Sequence, residues 1–398
     1  MSTPKRILLL DTGNEWGGGT NSMFELLKRI DRSRFDVTCC FYKDYKKGCS
    51  GRLLSEELAD IGIPLIVLPQ RKQPLWAKLA KETVRGLLAW SGRLKRKAVF
   101  AIEMGWRIKP RAVALEKLLS DEKFDLLYVN NQPASNLEGY LAVQNLNIPI
   151  VQHCRCTPTL NATEISILNR SKMPIICVSH GVADVLKGYG LSEQRLHVVH
   201  NAIDSEMVLP EPILPGFVAG SIVIGTVGRL NKLKSVDHLI QAVASLRQDG
   251  LSVFCLVVGE GEERQSLEQL AEKLEIAGYV HFAGFQPVPL SWVQAMDICA
   301  LCSSKEGFPR VVLEAMLAAK PVVGSDVNGT RELIVHEETG LLYAYGDVPE
   351  LAAALRRLAQ DPNLRRDMGN AGRRTVAMHY SIEAYVDGVA KVLAETFK

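Results

Sequence analysis

Two carboxylates, Glu306 and Glu314, bracket the seven residues Gly307-Phe308-Pro309-Arg310-Val311-Val312-Leu313. An ionised carboxylate only accepts hydrogen bonds, so each pairs naturally with neighbouring hydroxyls of a sugar. Between the acids a Gly-Phe-Pro turn gives way to an apolar helical pattern. Pro309 suits the first turn of a helix, where its missing N–H has no partner to lose. Glu306 then belongs to the loop ahead of the helix and Glu314 to its body, more than one turn later. Free N–H groups at the helix start favour an anion in the same space. Hydroxyl-binding acids beside a phosphate-binding helix end describe a pocket for a sugar nucleotide.

A second set of residues supplies positive charge. Arg229 and Lys234 follow the strand-like Thr226-Val227-Gly228. Arg offers a planar fork and Lys a compact point charge, and both suit diphosphate oxygens. If both engage a diphosphate, no metal is needed. Gly17-Gly18-Gly19-Thr20 lies after the first strand and before a helix expected from about Asn21. Glycines there let backbone N–H groups approach phosphate or sugar closely. The dinucleotide pattern G-x-G-x-x-G is not met, because residue 22 is Ser. His153 closes a strand of the first half, a place where a lone histidine is most often structural. The run His153-Cys154-Arg155-Cys156 has no second ligand pair at zinc spacing, so no metal site is expected.

These stretches resemble glycosyltransferase family 4, the retaining nucleotide-sugar glycosyltransferases of the GT-B fold. Glu306 to Glu314 is similar to the family's Glu-x7-Glu signature, and Gly228-Arg229-Leu230 through Lys234 to its Gly-Arg-Leu…Lys loop. Val199-His200-Asn201-Ala202-Ile203-Asp204 resembles its Pro-Asn-Gly-Val-Asp segment, and Gly17-Gly18-Gly19 its N-terminal glycine loop. The resemblance implies two doubly wound, Rossmann-like α/β domains facing each other across a cleft, with the acceptor mainly on the first and the donor on the second. It gives catalytic parts to Glu306, Arg229, Lys234 and His153, the last as a contact to the donor sugar. Glu306 would meet hydroxyls of that sugar and Glu314 those of the ribose. Gly18 and Gly19 would border the cleft. Gly307, Phe308, Pro309, Arg310 and Val311 would complete the sugar and phosphate contacts. Gly259 and Gly261 would leave room for the nucleotide, and Phe282 to Gln286, Phe285 included, would line the base. Asn201 and Glu332 are lesser candidates. The chain departs from the family's pattern at Ser235, where Gly usually follows the lysine and where Ser could cap the next helix, and at Asn328, where the family often has a second glycine. No cofactor or metal is implied, only the nucleoside-diphosphate sugar as substrate. Retention rests on the resemblance alone, since no residue presents itself as a covalent nucleophile.

These residues need a frame to hold them. At 398 residues the chain exceeds one ordinary core, so two domains are expected. Short β-branched or leucine-rich runs alternate with amphipathic segments, the pattern of parallel sheets built from βαβ units. Strands are expected near 6–11, 37–42, 65–68, 125–129, 149–153, 175–179 and 196–200, then near 221–227, 252–258, 279–282, 298–302, 321–325 and 340–343. Pro210, Pro212, Pro215 and Gly216 break both patterns and mark a linker over 208–220. The expected domains are 1–207 and 221–380, with a final helix at 381–398 that the resemblance takes back to the first domain.

Nearly half the residues are apolar and 23% charged, which fits a globular α/β protein. No apolar run approaches the roughly 20 residues of a spanning helix, and the segment after Arg6 is too short for a signal-peptide core, so a cytoplasmic protein is expected. Cys39, Cys40, Cys177, Cys255, Cys299 and Cys302 fall in apolar runs where a thiol behaves as a small hydrophobe. Cys299 and Cys302, in one strand, would face opposite sides of the sheet.

The net charge of +3 is unevenly spread: Arg71 to Arg111 holds twelve Lys or Arg against Glu82 and Glu103, leaving 35 basic and 42 acidic residues elsewhere. Trp76, Trp90 and Trp106 share that stretch with several leucines. This composition suits peripheral docking on an anionic membrane surface, a solvated helical pair or, without any recognisable module to support it, RNA; nucleic acid is not expected as a partner. The expectation is a glycosyltransferase moving a hexose or N-acetylhexosamine from a UDP- or GDP-sugar to a glycan. The acceptor would be lipid-linked, in assembly of bacterial lipopolysaccharide or polysaccharide on the cytoplasmic face of the inner membrane. A sugar-nucleotide epimerase and a non-catalytic partner subunit are the alternatives. The loop Lys43 to Ser50 carries no readable acceptor code.

Overall fold

The computed structural model describes residues 3–13, 15–48, 51–70, 72–214, 216 and 220–397. Ser50 of the expected acceptor loop, Arg71 of the basic segment and Pro215 of the linker lie outside them. Among the described residues, thirteen strands form two all-parallel sheets, each strand within a few residues of its expected place. The first sheet holds β1 (Lys5–Asp11), β2 (Phe35–Phe41), β3 (Leu65–Val67), β4 (Leu126–Asn131), β5 (Ile150–Cys154), β6 (Ile175–Cys177) and β7 (Leu196–Val198) in the order β3-β2-β1-β4-β5-β6-β7. The second holds β8 (Ile222–Val227), β9 (Val253–Val258), β10 (Val280–Gly284), β11 (Ile298–Leu301), β12 (Val322–Ser325) and β13 (Gly340–Tyr343) in the order β10-β9-β8-β11-β12-β13.

Helices cover both faces of each sheet, which is why the strands are apolar on both sides. In β1, Leu8 and Leu10 enter one buried cluster while Ile7 and Leu9 enter another. Cys299 and Cys302 likewise fall in different clusters, one on each face. Both orders reverse direction once, between β1 and β4 and between β8 and β11. Loops leaving the carboxyl ends of strands at such a point form a crevice, and the candidate loops leave from β1, β8 and β11.

The two sheets share one seam. The apolar cluster of Leu8, Val129 and Ile150 continues through Ile203 and Phe308 to Val312 and Val322. The helix Ile382–Thr396 packs on the first sheet, with Tyr385, Val386 and Val389 joining Ile7 and Leu9. Segment 208–214 is neither helix nor strand, and the Ile213 N–H donates to the Ser291 carbonyl at 3.1 Å. The basic stretch folds as helices Leu75–Leu87 and Gly92–Glu103, running on through a wider turn at Met104–Ile108.

Candidate active site

The loop after β11 carries Glu306, and the helix Arg310–Leu317 begins four residues later. Pro309 sits one place ahead of the expected first turn, as the capping residue with φ −73° and ψ 115°. Glu306 Oε1 accepts a hydrogen bond from Lys234 Nζ at 2.6 Å, so the acid and the lysine, 72 positions apart, converge. Glu314 projects from the helix and is buried; burial pushes its carboxyl up, while Arg310, 3.7 Å away, opposes the shift. Arg310 also donates from Nη1 to the Ala202 carbonyl at 3.2 Å, leaving its buried Nε without a partner. Gly307 is squeezed from both sides. A Cβ there would lie 2.6 Å from the Arg155 carbonyl, and one on Gly329 would lie 2.2 Å from the Gly307 carbonyl.

The cation loop leaves β8. Its backbone lies flat against the loop after β9: Gly228 N–H donates to Val258 and Leu230 N–H to Glu260, each at 2.9 Å. A Cβ on Gly259, at φ +141°, would fall 1.8 Å from the Gly228 carbonyl, and one on Gly261 2.1 Å from that of Leu230. The space these glycines free is thus taken by the backbone of the Arg229 loop. Arg229 is half exposed, paired with Glu262 at 3.3 Å and with Glu15 from the first domain. Ser235 does not cap the helix Val236–Gln248. Its backbone is left-handed, φ 45° and ψ 47°, and its hydroxyl turns back to donate to Lys232 O at 3.2 Å and meets the Tyr345 hydroxyl at 3.0 Å. The left-handed backbone explains why glycine suits this place.

From the first domain comes the glycine turn. The helix begins at Gly18, three residues before the expected Asn21, with Gly17 as its extended cap. A Cβ on Gly18 would come 3.9 Å from Arg310 Cδ, and one on Gly19 3.9 Å from Arg155 Cγ, so the turn is seated between two guanidinium side chains. Asn201 donates from Nδ2 to the Phe308 carbonyl at 3.0 Å. Glu332 spans the domains, accepting from the backbone N–H of His180 at 2.8 Å and of Gly181 at 2.6 Å, with His200 Nε2 at 3.2 Å. Phe285 lies over Gly48, across the cleft from its own domain.

His153 differs from expectation in its setting. Its ring is wholly buried between Tyr128, whose hydroxyl meets Nδ1, and Tyr385, and its Nε2 has no partner. Burial first, and then the nearby Arg155 charge, hold its pKa well below the usual histidine value, which favours the uncharged ring. The side chain that reaches the junction is Arg155, two residues on. Its Nε donates to Asn130 Oδ1 at 2.8 Å, Nη1 to Asn201 Oδ1 at 3.2 Å and Nη2 to the Tyr385 hydroxyl at 3.0 Å. An arginine just past an apolar strand end was a visible signal, since such a charge is rarely buried without purpose. Tyr385, 230 positions away, carried none.

Of the three tryptophans of the basic stretch, Trp76 and Trp90 are exposed and Trp106 is not. It is partly covered beneath Lys81, whose Nζ sits 5.3 Å from the ring centre. Among the described residues no group of three or more His, Cys, Asp or Glu clusters as metal ligands, and no helix is long and apolar enough to cross a membrane.

Two family models match the chain, Glycosyltransferase Family 4 over residues 16–207 and Glycosyl transferases group 1 over residues 215–375. Together they take in twelve of the thirteen described strands, all but β1, and the loops that carry Arg229, Lys234, Glu306 and Glu332. The chain belongs to glycosyltransferase family 4. It is similar to LpsE, a lipopolysaccharide core biosynthesis glycosyltransferase of Rhizobium meliloti, with 29% identity over 55% of this chain and 64% of that one. The match thus spans a little under two thirds of LpsE. The N-acetyl-alpha-D-glucosaminyl L-malate synthase of Bacillus anthracis is 26% identical over 69% of this chain and 76% of its own. Anabaena HepE, solved in complex with UDP-glucose, superposes with a TM-score of 0.76 at 22% identity over 98% of this chain and 99% of that one. A likeness at that identity shows the fold, and the fold of this family-4 chain is GT-B.

Proposed function

We propose that this chain moves a hexose or N-acetylhexosamine, with retention, from a UDP- or GDP-sugar to a glycan acceptor, without a metal. The observation that carries the reading is the Lys234–Glu306 contact at 2.6 Å beside the buried Glu314. Glu306 and Lys234 meet there, joining the loops after β8 and β11, and Glu314 is buried on the helix that follows. In this reading the departing diphosphate takes the place of Glu15 and Glu262 on Arg229 and shares Lys234, so that fixed cations meet the charge as it develops. Glu306 is then free to accept from sugar hydroxyls, and Glu314 from those of the ribose. The UDP-glucose in HepE and the lipopolysaccharide role of LpsE support a UDP-sugar and a cell-surface glycan.

A lipid-linked acceptor on the cytoplasmic face of an anionic membrane belongs to the same proposal. Leu75, Trp76, Leu79, Leu87 and Trp90, all exposed on the basic helices and the turn joining them, support it. Co-sedimentation with anionic vesicles at low salt is the expected result, and a failure to bind them removes the membrane from the reading.

The donor test is a thermal-shift panel of UDP, GDP, ADP and their sugars with EDTA throughout, since a ligand bound only to the native state raises Tm. One nucleotide series should stabilise the protein despite EDTA, and Lys234→Ala should lower turnover about 10²-fold or more. A shift that appears only with added divalent metal overturns the metal-free site. Donor consumed equally with and without acceptor would point to an epimerase, and a folded protein blind to every nucleotide to a non-catalytic subunit.

A further inference from the structure

One chain of hydrogen bonds runs through the junction, and its direction is fixed by a single residue. Asn130 and Asn201 both turn their amide oxygens toward Arg155, which can only donate. Their amide nitrogens therefore point away. Asn130 Nδ2 donates to Asp11 Oδ2 at 2.6 Å, and Asp11 Oδ1 accepts from the Gly13 N–H at 2.7 Å, where the glycine loop leaves β1. Asn201 Nδ2 donates to the Phe308 carbonyl at 3.0 Å, next to Glu306 and Gly307. The third arm ends at Tyr385, whose hydroxyl accepts from Arg155 and donates to Ser22 O at 3.1 Å, on the helix that the glycine turn opens. Arg155 thus ties together the start of the glycine loop, the helix it leads into, the helix Ile382–Thr396 and the Glu306–Phe308 turn of the other domain. The backbone takes part as well: the Arg155 carbonyl leaves no room for a side chain on Gly307.

We infer that Arg155 is a positioning residue for glycosyl transfer, setting the Glu306–Phe308 turn against the glycine turn through Asn201 and Tyr385. Its planar fork is what the task needs, because it reaches three acceptors in fixed directions while an ammonium group is a point charge. The inference rests on the transfer reading for its functional part and on the bonding pattern for its structural part, so two readouts separate them.

The structural readout is hydrogen–deuterium exchange of the full chain without ligand. Arg155→Lys should speed exchange in the peptides covering 305–312 and 13–22 by about tenfold or more, with the core strands of the second sheet unchanged. Unchanged exchange in both peptides overturns the inference. The functional readout is release of nucleotide from UDP-glucose, UDP-N-acetylglucosamine and GDP-mannose. Arg155→Lys should lower kcat about 10²-fold, the scale of an ångström misplacement, with donor KM changed less than threefold. Asn201→Asp, which keeps the acceptor for Arg155 and loses the donor to Phe308, should give a similar loss. The double variant should be no worse than the worse single one, because linked residues are not additive. Additive losses, or a loss confined to KM, would mean that Arg155 acts on the donor directly and would overturn the positioning role. Should Arg155→Lys fail to fold, Asn201→Asp alone carries both readouts. Wild-type protein that binds and turns over no donor refutes the transfer reading, while the exchange result still decides the structural part.

Discussion

Glu314 illustrates how one side chain serves two opposed demands. Burial disfavours its charged form, and the Arg310 charge only partly compensates, so the ionised acid that a ribose diol would use is a cost to the folded state. Glu314→Gln removes that charge while keeping the shape. It should leave Tm unchanged or raise it at neutral pH, because a group whose carboxyl is pushed up in the fold detracts from stability above its ordinary range. Nucleotide affinity should fall about 10- to 100-fold, the range for a hydrogen bond to a charged acceptor. Calorimetric titration with UDP beside a melting curve checks both halves, and a variant that loses stability but keeps affinity removes Glu314 from the donor site. The acids and the Arg229–Lys234 pair were legible in the sequence because their spacing is local to one loop or one helix. Arg155 was passed over in favour of His153, since a histidine near a strand end suggests chemistry by its type; the arginine's place just past an apolar strand was readable, but its burial and its partners from three distant segments were not.

At the scale of elements, all the strands were legible because parallel sheets need apolar runs of a length that little else in a chain supplies. Errors gathered at helix starts, where three to five residues of backbone geometry decide the boundary. Glycines ahead of Asn21 looked like loop, yet Gly18 and Gly19 are already helical, since Gly17 alone supplies the extended cap. Ser235 looked like a helix cap, but its left-handed backbone points the hydroxyl the other way. A paired substitution tests that account. Ser235→Ala keeps the unfavourable backbone and loses both hydroxyl contacts, and should destabilise by about 1–2 kcal/mol. Ser235→Gly loses the same contacts but recovers roughly 1 kcal/mol of left-handed strain, so it should be the milder change in urea melts. An alanine variant as stable as the glycine one would show that the strain is not there.

Across the whole molecule the domains meet through Glu332, whose carboxylate closes the N-terminal end of the helix His180–Gly188 in the other domain. Burial alone would raise its pKa, but hydrogen bonds from the His200 ring and from the Gly181 and His180 N–H groups outweigh that and hold it below the ordinary 4.5. A carboxyl depressed in the fold adds stability above its unfolded pKa and loses it as pH falls through the folded one. Stability should therefore drop below about pH 4.5, and Glu332→Gln should be less stable at pH 7 and show a shallower acid decline; parallel declines in the two proteins would remove Glu332 as a source of the slope. Such cross-domain ties were not legible in the sequence, because each partner looks ordinary within its own segment.

The helix Ile382–Thr396 has a consequence for synthesis. It covers one face of the first sheet, yet it is made only after the whole second domain. At roughly 5–20 residues per second, the ribosome leaves Ile7, Leu9 and Tyr128 without that cover for on the order of ten seconds or more, a window in which exposed apolar surface favours aggregation.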